Sequence, residues 1–288
     1  MFYSKYYAAI IGASGQDGFF MSRYLLKKKK KILLIVRSPK KNVLYLKSKY
    51  KKLVHILVVE EFNFDKYSKI LEKYTFNKVF FFAGYSKIPN NLSETKKCKL
   101  ANYEIIKDFL YACLFSNKKP KILYLSSGEI FGMNQKKPSV ERSQYKVENC
   151  YSKCKLKSVE LIKQFRMLHN FFIVNAICYN HESIYTPKNH ILRKILNLLQ
   201  NKNNRTIKIF NSEDKRNISH IYDFLPLFDR TLSSKHNTDY VFANKENISI
   251  RSITLFYNKF FYKKIIFMKK NIKSISRLAN NSKILRDF

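Results

Sequence analysis

Glycine, proline, tryptophan and acidic residues are scarce in this 288-residue sequence. It has six glycines, six prolines, no tryptophan, and 20 Asp and Glu against 56 Lys and Arg. Average glycine use is about 7%, roughly three times that of this chain. No apolar run approaches the ~18 residues of a membrane helix, so we expect no transmembrane segment. The amino-terminal MFYSKYYAAIIG leads directly into a strand-like pattern, so no signal peptide is expected.

The net charge of +36 has two explanations. It is compatible with binding to nucleic acid or to an anionic membrane surface. Lysine, however, far outnumbers arginine, and Asn, Ile, Phe and Tyr are also abundant. These residues have A/T-rich codons, so a biased genome accounts for the composition without a binding role. We favour this second explanation and expect neither a nucleic-acid nor a membrane partner.

The five cysteines do not follow the spacing of a metal-ligand motif, and their odd number is typical of a reducing compartment. We therefore expect no metal site and a cytoplasmic protein. The cysteines are Cys98, Cys113, Cys150, Cys154 and Cys178.

Short apolar runs alternate with longer segments of helical period through the first 180 residues. This alternation predicts βαβ units and an α/β fold with a Rossmann-type, doubly wound parallel sheet. After about residue 180 the pattern loosens, which indicates a smaller lobe. We predict a dinucleotide-binding domain over residues 1–180, interleaved with a substrate lobe over residues 181–288. The predicted strands are AAIIG, ILLIV, HILVV, KVFFFA, KILYLSS, FFIVNAIC, TIKIF and DYVFAN.

Three of the six glycines lie in GASGQDG, Gly12 to Gly18, between the first predicted strand and the first predicted helix. Glycine at such a turn allows the backbone to approach a pyrophosphate, and the helix N-terminus attracts the anion. The second predicted strand ends with Arg37 and Ser38 rather than with an acidic residue. Because a guanidinium suits a 2′-phosphate, the sequence favours NADP over NAD.

Two more glycines lie in LSSGEIFG, which follows the fifth predicted strand at the edge where open α/β sheets bind ligands. This stretch places a hydroxyl, Ser127, and a carboxylate, Glu129, at that edge. Further along, Tyr151 and Lys155 share one helix face. A Tyr-x-x-x-Lys pair is an acid/base device in which the ammonium stabilises the phenolate. Four other Tyr/Lys pairs have this spacing, and only Tyr151/Lys155 follows a serine-rich strand end.

Together these segments resemble the extended short-chain dehydrogenase/reductases, and within them the GDP-mannose 4,6-dehydratases, over roughly residues 6 to 286. The resemblance rests on GQDG, FFAGYSK, LSSGEIFG, Tyr151-x-x-x-Lys155, VNAICYNHES, LRKI and KRNISHIYD.

The resemblance implies roles for individual residues. It implies that NADP contacts Gly12, Ser14, Gly15, Gln16, Asp17, Arg37, Glu61, Phe62, Phe82, Ala83, Gly84, Ser86, Tyr151, Lys155 and His181. The implied catalytic residues are Ser127, Glu129, Tyr151 and Lys155. The implied substrate contacts are Ser86, Ser127, Asn180, Arg193 and Arg216.

The activity that the resemblance implies is a hydro-lyase that converts GDP-mannose to GDP-4-keto-6-deoxymannose. Tyr151 would remove the proton of the C4 hydroxyl as hydride leaves C4. Glu129 would then remove the C5 proton while water leaves C6, and the hydride would return to C6. Three alternatives remain: another nucleotide-sugar substrate with epimerase or reductase chemistry, an inactive paralogue that keeps the dinucleotide fold, and a nucleic-acid or membrane binder.

Some segments depart from the family pattern. The chain has IYTP after NHES, where the family has Pro-Arg-Arg-Gly, and AGYSK where it has Ala-Ala-Gln-Ser-His. The sequence ends about where relatives continue with a further segment, so part of the substrate lobe is expected to be missing. The resemblance also implies a homodimer or homotetramer, with a four-helix contact formed by NYEIIKDFLYACLF and YSKCKLKSVELIKQF.

Overall fold

The computed structural model describes residues 4–187, 190–268 and 275–288 of the chain. Residues 1–3, 188–189 and 269–274 lie outside this description. The strands of the first part are β1 Ser4–Ile11, β2 Ile32–Val36, β3 Val54–Val58, β4 Tyr74–Phe81, β5 Lys121–Ser127 and β6 Ile173–Cys178. The helices between them are α1 Gln16–Lys27, α2 Lys41–Lys49, α3 Phe64–Lys73, α4 Leu92–Lys99, α5 Ile105–Phe115 and α6 Cys150–His169.

The second part of the chain has shorter elements. Its strands are β7 Asn180–Glu182, β8 Thr206–Phe210, β9 Lys215–Arg216, β10 Ile218–His220, β11 Asp239–Phe242, β12 Ile248–Ser249 and β13 Lys264–Met268. Its helices are α7 Ile191–Gln200, α8 Ile221–Ser233, α9 Ile250–Asn258 and α10 Ser282–Asp287.

Seven strands form the central sheet in the order β11-β6-β5-β4-β1-β2-β3. Every pair is parallel, so all carboxyl ends meet at one edge. The chain adds strands on one side of β1 as far as β3 and then crosses to β4 on the other side. That reversal between β1 and β4 is where open sheets of this class bind ligands. The predicted Rossmann-type, doubly wound fold is confirmed.

The strands form a parallel sheet because their side chains are apolar on both faces. All five residues of β2, ILLIV, are buried, as are all six of β6, and such continuous apolar strands need helices on both sides. Two separate clusters of buried side chains meet this requirement, one on each face. Among the described residues, no helix is both long and apolar enough to span a membrane.

A smaller lobe lies beyond the sheet. The parallel pair β8 and β13 packs with α7 and α9 around its own apolar cluster. Strand β11 and helix α8, by contrast, return to the central sheet and its core. The second part of the chain is thus interleaved with the first, and the division between residues 1–180 and 181–288 stays a prediction. The lobe cluster contains Ile195, Leu199, Ile207, Ile209, Ile250 and Ile253.

Candidate active site

The turn from β1 into α1 leaves no room for side chains at two of its three glycines. Gly12 has φ +89°, and a Cβ there would lie 2.6 Å from the backbone nitrogen of Ala83. A Cβ on Gly18 would lie 2.5 Å from the carbonyl oxygen of Gly12. Gly15 is the N-cap of α1 and no side chain caps that helix end. The turn therefore presents bare backbone and a helix N-terminus, which fits the pyrophosphate of a dinucleotide.

The neighbouring strand end carries a positive charge. Ser14 Oγ donates to the carbonyl oxygen of Ser38 at 3.0 Å, and Asn42 Nδ2 donates to the carbonyl oxygen of Ser14 at 3.4 Å. These bonds tie the glycine turn to the end of β2. Arg37 follows β2 directly and is exposed. In this fold an acidic residue near the end of β2 often binds the ribose of a dinucleotide. Here Arg37 occupies that position, so the end of β2 carries a positive charge.

Gln16 and Asp17 connect the glycine turn to the segment after β6. Asp17 Oδ1 lies 2.7 Å from His181 Nε2, and His181 Nδ1 lies 2.8 Å from the carbonyl oxygen of Tyr179. Gln16 Nε2 donates to the carbonyl oxygen of His181 at 3.0 Å, and its Oε1 accepts from Ser183 Oγ at 2.6 Å. The side chains implied to touch the cofactor are thus engaged with one another.

The Asp17–His181 contact is an ion pair at neutral pH. Burial by itself would lower the pKa of His181, but the Asp17 carboxylate outweighs it and raises that pKa to about 9. Burial would likewise raise the pKa of Asp17, and the charge and hydrogen bond of His181 lower it. Both side chains are therefore charged at neutral pH. Their ion pair joins the glycine turn to β7, the strand that follows β6.

The residues implied for the adenine lie after β3. Glu61 is exposed and Phe62 is half-buried. The Phe62 ring stacks on the buried ring of Tyr67, with centroids 5.6 Å apart and planes 24° apart. The structure thus holds an aromatic face at this edge of the sheet.

The residues after β4 run from the interior to the surface. Phe82 is buried, whereas Gly84 and Ser86 are exposed. A Cβ on Gly84 would lie 3.0 Å from Asn102 Oδ1 and 3.5 Å from Lys155 Nζ. The loop after β4 therefore passes close to Asn102 and to the side chain of Lys155 on α6.

Asn102 is a site residue that the sequence did not reveal. It lies in a π-helical turn, Leu100–Glu104, between α4 and α5. Its Oδ1 accepts from the backbone N–H of Tyr85 at 3.1 Å and its Nδ2 donates to the Tyr85 carbonyl at 3.0 Å. Its own carbonyl accepts from Ser158 Oγ at 2.6 Å and from Tyr124 Oη at 3.1 Å. Such π-helical turns are common at functional sites. The sequence did not predict this one because it has no periodic pattern of apolar residues.

Lys155 is buried on α6 beneath the ends of β4 and β5. Its Nζ donates to the carbonyl oxygen of Leu125 at 2.7 Å and to Tyr124 Oη at 3.4 Å. Burial lowers the pKa of this ammonium to about 8. The described hydrogen bonds of Lys155 thus go to β5, one turn of α6 away from Tyr151.

Tyr151, Ser127 and Glu129 form one interacting group. Burial, followed by the negative charge of Glu129, raises the pKa of Tyr151, while a hydrogen bond with Ser127 and the charge of Arg277 lower it. Ser127 Oγ also accepts from the backbone N–H of Glu129 at 3.3 Å and so begins the 3-10 turn Gly128–Phe131. The predicted catalytic hydroxyl, phenol and carboxylate are therefore brought together.

Glu129 is held from two sides. Arg277 NH2 lies 2.7 Å from Glu129 Oε1, and both side chains are largely buried. Asn149, the N-cap of α6, donates from Nδ2 to Glu129 Oε2 at 3.5 Å. Arg277 was also missed from the sequence, because it lies 148 positions from Glu129 and belongs to no motif that we recognised.

Arg216 and Arg277 lie side by side in the second lobe, joined by a parallel β-bridge. Arg216 is buried and donates from NH1 to the carbonyl oxygens of Lys215 and Ile275. Burial and the neighbouring Arg277 lower the pKa of Arg216 to about 10, although Asp214 opposes them. Each guanidinium has a carboxylate neighbour, with Asp214 Oδ2 3.9 Å from Arg216 Nη2 and Glu129 Oε1 2.7 Å from Arg277 Nη2.

The other two predicted substrate residues lie further out. Asn180 is half-buried in β7, opposite Ile218 of β10. Arg193 is half-buried on α7 and lines a cavity of about 30 Å³ with Glu182 and Ser183. Neither side chain reaches the Ser127–Glu129–Tyr151 group through the described contacts.

The sequence matches known proteins over nearly its whole length. The family model for GDP-mannose 4,6 dehydratase matches residues 9–287. The GDP-mannose 4,6 dehydratase of Drosophila melanogaster is 24% identical over 293 residues, covering 97% of this chain and 74% of that protein. The Homo sapiens protein of the same name is 26% identical over 294 residues, covering 96% and 78%.

Solved structures share the fold. A dTDP-glucose 4,6-dehydratase from Streptomyces venezuelae, with NAD and TYD bound, superimposes with a TM-score of 0.83 at 12% identity, covering 99% of this chain and 90% of that one. A UDP-N-acetylglucosamine 4-epimerase from Methanobrevibacter ruminantium gives 0.82 at 17% identity, covering 98% and 91%. The chain belongs to the GDP-mannose 4,6-dehydratase family, whose members are nucleotide-sugar hydro-lyases that depend on a nicotinamide dinucleotide.

Proposed function

We propose that the protein is an NADP-dependent GDP-mannose 4,6-dehydratase that forms GDP-4-keto-6-deoxymannose. The observation that carries this proposal is Glu129. Glu129 follows Ser127 at the carboxyl edge of the sheet, its charge raises the pKa of Tyr151, and its carboxylate forms an ion pair with Arg277. Oxidation at C4 needs only the phenol, whereas elimination of water needs a second acid/base group, and Glu129 supplies one.

The cofactor proposed is NADP, held by the glycine turn. The backbone of Gly12 and Gly15 and the N-terminus of α1 would bind its pyrophosphate. Arg37 would pair with its 2′-phosphate, because a guanidinium binds phosphate oxygens in a bidentate manner. Phe62 would offer its ring to the adenine. When bound, the dinucleotide supplies a hydride acceptor at C4 of the sugar and a hydride donor at C6. The remaining implied contacts are Ser14, Gln16, Asp17, Glu61, Phe82, Ala83, Gly84, Ser86, Tyr151, Lys155 and His181.

Tyr151 would act first, as the base that takes the proton of the C4 hydroxyl. Burial disfavours its phenolate, so the site must supply compensating interactions. Ser127, through its hydrogen bond, and Arg277, through its charge, both lower the pKa of Tyr151. Lys155, held against β5 and Gly84, would bind the nicotinamide ribose and so fix the geometry of this step.

Glu129 would act second. The new ketone at C4 acidifies the C5 proton, which the Glu129 carboxylate removes. The protonated carboxyl then gives its proton to the C6 hydroxyl, which leaves as water. When C6 is reduced, C5 must regain a proton, and the proton that Tyr151 took from the C4 hydroxyl balances this step. Arg277 holds the carboxylate in position before this transfer, and Asn149 contacts its second oxygen.

The nucleotide sugar would lie between the sheet edge and the second lobe. We assign Arg216 to the substrate diphosphate, since a guanidinium suits phosphate oxygens. We assign Asn180 and Arg193 to the outer parts of the nucleotide, and Ser86 and Ser127 to the sugar hydroxyls.

We also propose a homodimer formed through α5 and α6. Large apolar side chains on these helices are exposed in the single chain, including Phe115 at 76% and Met167 at 79%. Sedimentation velocity would detect the dimer, and a monomer at micromolar concentration would exclude it.

Replacing Glu129 by Gln tests the proposal. E129Q should lose at least ~100-fold in formation of the 4-keto-6-deoxy product from GDP-mannose and NADP⁺, while still binding the dinucleotide and oxidising C4. Glu160, exposed on α6, provides the matched control, and E160Q should turn over like wild type. Full activity of E129Q would overturn the assignment of Glu129. If the wild-type protein binds NADPH but does not convert GDP-mannose, the assignment of GDP-mannose as the substrate is wrong.

A further inference from the structure

Three cysteines that do not share a local motif are brought together in the folded chain. The sulfur atoms of Cys98, Cys150 and Cys154 all lie within 4.8 Å of one another. Cys98 is near the end of α4, and the other two lie four residues apart at the start of α6. The expectation of no metal site rested on spacing along the sequence, which does not register a ligand contributed by a separate helix.

The spacing of the sulfur atoms suits a metal ion. Thiolates about 2.3 Å from a tetrahedral or trigonal centre lie about 3.8–4.0 Å apart. Cys150 Sγ and Cys154 Sγ are 4.0 Å apart. The third sulfur would need to move by no more than about 1 Å to complete such a centre.

A disulfide between the two cysteines of α6 fits their positions less well than a shared metal ion. Residues four apart on a helix have Cβ atoms about 5–6 Å apart, whereas a disulfide needs about 3.5–4.5 Å. A bond between Cys150 and Cys154 would therefore require the first turn of α6 to unwind. That turn is held by the capping box of Asn149 and Ser152.

The surroundings also support a ligand site. Asn102 Nδ2 donates to Cys98 Sγ at 3.3 Å, which is the kind of outer hydrogen bond that orients a metal ligand. Cys98 and Cys154 are buried, while Cys150 is partly exposed and gives access from solvent. Soft thiolates select Zn²⁺ and Cu⁺ among biological cations.

We propose that Cys98, Cys150 and Cys154 bind one thiophilic d¹⁰ cation, Zn²⁺ or Cu⁺, at the junction of α4 and α6. The ion would fix the first turn of α6, which carries Tyr151, against α4. Three thiolates satisfy a trigonal Cu⁺ ion, and they leave a fourth position on Zn²⁺ for a solvent molecule. This site stands independently of the reaction proposed above.

The test is a titration of the full-length, reduced, metal-stripped protein with Co²⁺ as a probe for the Zn²⁺ site. We expect one equivalent per chain, with thiolate-to-cobalt charge-transfer absorption that Zn²⁺ abolishes. C98A and C154A should each weaken binding at least ~100-fold. C113A removes a buried cysteine outside the cluster and should bind like wild type. A parallel titration with Cu⁺ distinguishes the two ions.

A second readout needs no variant. Zn²⁺ or Cu⁺ should protect Cys150, the partly exposed cysteine of the cluster, from alkylation in the native protein, as measured by peptide mass spectrometry. Binding that is unchanged in C98A and C154A, or absent from the wild type, would overturn the site. So would a disulfide among the three cysteines that forms in place of metal binding.

Discussion

At the residue scale, Arg277 makes the contact to Glu129 that most affects the proposed chemistry. Removing its charge in R277M should lower kcat by on the order of 100-fold, because Glu129 loses its partner and the phenolate of Tyr151 loses a favourable charge. R277K should recover part of that loss, which a purely steric role would not predict. Steady-state kinetics separate the kcat effect from KM. Equal defects in R277M and R277K would contradict the electrostatic role.

His181 and Asp17 give a pH dependence whose sign is fixed by their pKa shifts. The pKa of His181 is raised to about 9, so the stability from the pair is complete below the unfolded value of about 6.5 and is lost as pH rises through 9. The free energy of unfolding of the wild type should exceed that of H181Q by about 3 kcal/mol at pH 6. The difference should be much smaller near pH 9.5.

Denaturant unfolding at both pH values measures this difference, and effects common to both proteins cancel. H236Q alters an exposed histidine and should show no such pH dependence. A wild-type advantage over H181Q that is equal at the two pH values would contradict the ion pair.

The sequence indicated candidate residues where a turn follows an apolar strand. The structure places the glycines of the first turn after β1, and Ser127 and Glu129 at the end of β5 and just after it, while their functional roles stay predictions. Asn102 and Arg277 were not indicated, because the first depends on a π-helical turn and the second on tertiary contact. The hydrogen bond from Lys155 to the carbonyl oxygen of Leu125 was not predicted either. The i, i+4 spacing indicates which residues share a helix face, but it does not indicate which acceptor a side chain binds.

At the element scale, the β1–α1 turn depends on close backbone packing. G18A should destabilise the protein by about 1–3 kcal/mol, because its methyl group would lie 2.5 Å from the carbonyl oxygen of Gly12. G15A offers the matched comparison, since its methyl group would meet only that same oxygen, at 3.4 Å. We expect G15A to melt like wild type and yet to bind NADPH more weakly.

Thermal unfolding and a fluorescence titration with NADPH separate the two effects. If G15A binds NADPH as tightly as wild type, the pyrophosphate does not bind at the backbone of Gly15. A G18A protein as stable as wild type would show that the turn can relax around a methyl group.

The seven strands of the central sheet were all predicted, whereas some of the helices around them were not. ILLIV and KILYLSS match β2 and β5 residue for residue, because each contains a short apolar run of the kind that a buried strand needs. Helices α2 and α4 were missed, since each has at most two buried side chains and hence a weak periodic signal. Missing α4 also concealed the position of Cys98 beside α6.

At the scale of the whole molecule, the second lobe completes the site. Arg277 and Arg216 come from residues far along the chain, and their positions depend on the bridge between β9 and residues 275–279. The alternation of strands and helices predicted the sheet, but it did not predict that β11 and α8 return to it. The site is thus a property of the interleaved chain and not of residues 1–180 alone.

The most direct test of the dehydratase account follows the hydride. The purified protein would be incubated with NADP⁺ and GDP-mannose that carries deuterium at C4, and the product would be analysed by mass spectrometry and NMR. The account predicts a product that has lost one water and carries the deuterium at C6. A product that has not lost water, or one that has lost the deuterium to solvent, would contradict the proposed dehydratase mechanism.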